Sequence, residues 1–234
     1  MATRDGCCAM KRRAAMVIAF LLVGMGAAAS VTQGHATVDD CAPGDPLTPK
    51  AEMFATNNTE TIADPADPRL QDRLEPFASQ VDGTILANSA LPVGSDRMQG
   101  VFWPEDLQRL TFESSRQFHL ACVGEAELNR IAEMVAEQFG QESVLTFTYQ
   151  PDDVSSADSF IADVPGVDVQ RFHNALATFP DARTRLGGGS INEDGSLVLV
   201  AADEDAEVAK RVVAVSGAEL DTSGVRHGTS RFVP

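Results

Sequence analysis

Between residues 117 and 201 the spacing of apolar residues switches repeatedly between two and three-to-four, and nothing else in the chain limits the fold as much. A helix repeats its buried side every 3.6 residues and a strand every two, so each switch marks an element boundary. Residues 117–123 read as a strand. Gly124 then opens a helix with Glu125 and Glu127 in its first turn, where the helix dipole favours anions. Leu128, Ile131, Val135 and Phe139 form its apolar stripe, and Gly140 supplies the stop. Residues 143–149 alternate, and Leu145, Phe147 and Tyr149 are expected on the helix-covered face. Residues 160–164 are a strand ending at Pro165 and Gly166. Asp168 is an N-cap, with Val167 and Phe172 as a hydrophobic staple. Val169, Phe172, Leu176 and Phe179 continue that helix to Pro180, and a short helical turn follows to Leu186. Residues 190–201 read as a hairpin turning at Glu193, Asp194 and Gly195. Asp203 caps a last helix carrying Ala206, Ala209, Val212 and Val213, ended by Gly217.

The fold class expected is therefore α+β: an antiparallel or mixed sheet layered under helices. The order over about residues 117–201 is that of a split βαβ, ferredoxin-like unit, with another α+β sandwich topology as the alternative. No internal repeat is visible in the residues themselves. Upstream, Asp67 and Pro68 read as the start of an N-terminal helix whose stripe is Leu70, Leu74, Phe77, Val81 and Ile85, with Pro76 expected to kink or split it. Residues 88–98 read as a loop, residues 101–103 as a short strand, and residues 107–112 as another. The expected organisation is a signal peptide over residues 1–29, an extended polar arm over residues 30–66, one domain over residues 67–217, and a polar tail over residues 218–234.

The signal rests on Arg4, Lys11, Arg12 and Arg13, an apolar run over residues 14–29, and small residues Ala27, Ala28 and Ala29 before a cleavage point at Ser30. Cleavage as late as residue 36 is the second choice. An uncleaved anchor is the rival reading, but the run falls short of the roughly 20 apolar residues a spanning helix needs. The chain carries 18 Lys+Arg against 34 Asp+Glu, a net of −16, and loss of residues 1–29 deepens that to −19. Such acidity excludes the basic footprint of a nucleic-acid binder and disfavours anionic lipid, so no membrane contact is expected after cleavage. Lys occurs only at positions 11, 50 and 210 among many Arg, which points to a high-GC bacterial genome.

Cys41 and Cys122 are the two cysteines outside the signal. In an oxidising compartment they are expected to form a disulfide that pins the arm to the body. Walker A, GxSxG, HExxH, CxxC and EF-hand patterns are all missing from the sequence, and no metal or cofactor is expected. Gly187, Gly188 and Gly189 lie between helix and strand, the reverse of a phosphate cradle, and are expected to end the helix and turn the chain. His119 and His173 are the candidates for a general base, and Trp103 for a partner contact. The function expected is an exported, non-catalytic module binding an unknown extracytoplasmic protein or small ligand. The alternative is a secreted hydrolase whose site assembles only in three dimensions.

Overall fold

The computed structural model describes residues 48–56, 69–102, 115–141, 143–150 and 157–234. Every described residue belongs to one compact unit, His35–Pro234. The expected signal, Cys41, Trp103 and the strand over residues 107–112 lie outside the described residues.

Eight strands close into an antiparallel barrel. They are β1 (Ala51–Thr56), β2 (Leu91–Phe102), β3 (Ser115–Ala121), β4 (Val144–Tyr149), β5 (Ser159–Val164), β6 (Leu186–Asn192), β7 (Leu197–Ala202) and β8 (Arg226–Val233). The order around the barrel is β1-β3-β2-β6-β7-β5-β8-β4, and β4 returns to β1. Closure leaves no unpaired edge. The helices are α1 (Arg69–Ala87), α2 (Glu125–Phe139), α3 (Val169–Thr178), α4 (Ala182–Arg185) and α5 (Ala206–Val215).

The element order is a repeat: strand, helix, two strands, helix, strand over residues 51–149, and the same over residues 159–233 with α4 added. Within each half the strands lie in the order fourth, first, third, second, as β4-β1-β3-β2 and β8-β5-β7-β6. The halves join through β2 against β6 and β4 against β8. Three apolar cores result. Phe77, Val81 and Ile85 of α1 and Leu128, Ile131 and Val135 of α2 cover Met53, Phe118 and Leu120 on the outside of the first half. Phe172, Leu176, Val208 and Val212 cover Phe160, Leu197 and Leu199 on the second. Phe54, Met98, Leu145, Phe147, Ile161, Val198 and Val200 fill the barrel.

Several elements form as their residues dictate. The α2 helix begins after Gly124 and ends on Gly140 at φ 63°, a left-handed stop. The Asp168 side chain accepts from the Arg171 N–H at the start of α3, and Val167 and Phe172 share one core. The Asn192 side chain accepts from the N–H groups of Asp194 and Ser196, which closes the β6–β7 turn.

Other expectations are corrected. The window 117–201 is not a self-contained four-strand unit: β3 pairs with β1 and β2, and β4 with β1 and β8, so neither meets β5, β6 or β7. The arm hides β1, buried along its whole length, because a strand covered on both faces shows no alternation. The 88–98 loop is most of β2: Pro92 and Gly94 there mark a shift in register, with Gly94 at φ 144°, rather than the end of pairing. The polar tail holds β8, which closes the barrel. Pro76 lies inside α1 without ending it, exposed to solvent beside the buried Phe77. The glycine run belongs to β6, where a Cβ on Gly189 would stand 3.1 Å from Phe172 and from Leu199. On β4 the faces are reversed: Leu145, Phe147 and Tyr149 belong to the barrel interior, and Val144 lies under the helices.

Candidate charged site at one end of the barrel

Glu52 sits on β1 opposite His119 of β3 and Phe147 of β4. Register therefore points the Glu52 side chain inward, and it is completely buried. An ionised carboxylate in such a place needs several donors to replace water. Three side chains provide them. His119 Nδ1 lies 2.6 Å from Glu52 Oε2, Gln117 Nε2 donates to the same oxygen at 3.2 Å, and the Tyr149 hydroxyl donates to Oε1 at 2.5 Å.

His119 reaches a second carboxylate: its Nε2 lies 3.0 Å from Asp96 Oδ2, whose side chain is half exposed. Burial works against a charged imidazole, but the hydrogen bonds and charges of Glu52 and Asp96 outweigh it and hold the His119 pKa at about 9. The ring is an imidazolium at neutral pH with both nitrogens donating. Tyr149 is pushed well above its usual value, first by burial and then by the negative charge of Glu52. The Arg226 guanidinium lies over the Tyr149 ring, 4.9 Å from its centre, and donates to Asp163 at 2.6 Å. The cluster thus runs from the first half of the barrel to Asp163 of β5 and Arg226, the first residue of β8.

Of the residues singled out from the sequence, only His119 enters this cluster. His173 lies half-buried on α3, on the outer layer, and contributes nothing to it. Cys122 follows β3 at φ 55°, and Cys41 lies outside the described residues. Glu52, Asp96 and Arg226 escape sequence reasoning because they fall in stretches read as arm, loop and tail, and Gln117, Tyr149 and Asp163 because they lie on expected strands where nothing in the spacing marks a site. One signal was available: a lone Glu inside AEMFAT, the most apolar stretch of the arm.

Among the described residues no group of three or more His, Cys, Asp and Glu is arranged to hold a metal ion. An open depression of about 740 Å³ beside α5, lined in part by Lys210, Leu220 and Asp221, shares no residue with the cluster. No protein-family model, no curated protein and no solved structure matches the chain.

Proposed function

We propose that this chain is an exported, non-catalytic binding module, and that the charged end of its barrel is the face that meets a partner or ligand. The observation that carries the reading is the state of His119. Glu52 and Asp96 occupy both of its ring nitrogens, so at neutral pH it is a fixed cation with no lone pair to take a proton. That is unsuited to a general base, the part a hydrolase would assign it. Fixed charges on a rigid scaffold suit recognition. The cost of burying them also supports a function. On the matching strands β5 and β7, Ile161, Val198 and Val200 face inward and the one inward charge, Asp163, is half exposed, so the fold does not require a fully buried charge there.

Three finer readings belong to the proposal. Each half is a ferredoxin-like unit, on the strength of its element order and strand order. Residues 1–29 are a cleaved signal. Cys41 is the partner of Cys122, tying the arm to the end of β3.

The test begins with secretion from a bacterial host, where the exported protein should start at Ser30 or Thr37. A photocrosslinker placed at Asp96 should then capture an extracytoplasmic partner, and one at the remote, exposed Leu86 of α1 should not. Turnover of an ester, amide or glycoside substrate that disappears in His119→Gln would establish the hydrolase instead.

A further inference from the structure

We propose that the face of Tyr149 and the carboxylate of Asp163 form a cradle for a guanidinium, which an arginine of a basic partner enters by displacing Arg226. The inference rests on the charged barrel end being a recognition face, and it names the occupant. Arg226 already makes the contacts: its guanidinium carbon is 4.9 Å from the Tyr149 ring centre, and it donates to Asp163 Oδ2 at 2.6 Å. An aromatic face paired with a carboxylate selects a flat, weakly hydrated cation.

The ring is tuned from behind. Its hydroxyl donates to Glu52 at 2.5 Å, and a phenol whose proton is drawn toward a carboxylate carries more negative charge on its π face. His119 and Gln117 hold Glu52 still, so that polarisation is built in. This gives the buried carboxylate a purpose that packing alone does not.

Arg226 is also poised to leave. Its side chain is 44% exposed and that of Asp163 50%. Exposed ion pairs hold weakly, and a released guanidinium regains water. The turn before it, residues 221–224, is exposed throughout and offers no obstacle. A net charge of −16 draws basic partners toward the surface and repels acidic ones.

The experiment is an NMR titration of the full chain with three probes. They are N-acetyl-arginine amide, the uncharged N-acetyl-citrulline amide, and N-acetyl-glutamate amide. Arginine should shift Tyr149 and Asp163 saturably, and citrulline should not. Arg226→Ala removes the internal competitor and should tighten arginine binding about tenfold, while Asp163→Asn should weaken it by about as much. Equal or weaker binding to Arg226→Ala, or citrulline binding as well as arginine, overturns the proposal. If arginine fails but glutamate shifts the same residues, the cation assignment falls and the recognition face stands. If none of the three probes shifts the charged end, both fall.

Discussion

His119 carries a charge that its burial alone would remove, and the two carboxylates beside it reverse that tendency. The pKa rises from 6.5 to about 9 on folding, so the folded state binds the proton more tightly than the unfolded chain. The stabilisation is therefore complete below about pH 6.5 and drains away as pH climbs through about 9. Urea midpoints should fall between pH 6 and pH 10 in the wild type, and the fall should be shallower in His119→Gln. Parallel curves for the two proteins would show that the charge is not coupled to folding. At the far end of β1 the polar groups tell the opposite story. Among the described residues, the Thr56 hydroxyl is buried without a hydrogen-bond partner, as are the Ser115 hydroxyl and the Gln141 amide nitrogen. Thr56→Val keeps the shape and discards an unsatisfied group, so denaturant melts should show it neutral or stabilised by about 1 kcal/mol. Thr146→Val should instead lose about 1–2 kcal/mol, because that hydroxyl donates toward Asn129 at 3.1 Å and the Arg231 carbonyl at 3.2 Å.

Among the elements, β8 depends on one residue. A Cβ on Gly228 would strike the carbonyl oxygen of Thr148 and come within 2.6 Å of the Phe147 ring. Neither neighbour is free to yield: one is β4 backbone and the other fills the barrel. Gly228→Ala should cost about 3 kcal/mol or more by prising β8 from β4. Gly83, exposed within α1 with nothing near its would-be Cβ, is the control, and Gly83→Ala should stabilise by about 0.5–1 kcal/mol. Equal melts for the two variants would mean that β8 does not approach β4 so closely. The same elements explain what was legible. Helices α2 and α3 are plain in the sequence because one face of each is wet, so the 3.6-residue stripe and the caps survive. Strands β1, β2 and β8 are not. The first is buried on both faces, the second carries Pro92 and Gly94, and β8 turns Arg226, Gly228 and Ser230 toward the interior, which reads as polar tail. The charged site was hidden for the same reason, since Glu52 and Arg226 ride on two of those strands.

At the scale of the molecule, a repeat of topology coexists with residues that show no repeat. The outer cores are private to each half, but the inner one is shared. Phe54, Met98, Leu145 and Phe147 come from the first half, and Ile161, Val198 and Val200 from the second. Separating the halves would expose that core to water and free four strand edges, at β2, β4, β6 and β8. That loss is expected to outweigh what each private core supplies, so the barrel should unfold as one cooperative unit. Far-UV circular dichroism and Tyr149 ring resonances should report a single coincident urea transition. Residues 48–149 and 159–234 made separately should each lack a cooperative transition and regain one when mixed. A stable monomeric half, or two separated transitions in the intact chain, would show that the shared interior is not what holds the two halves together.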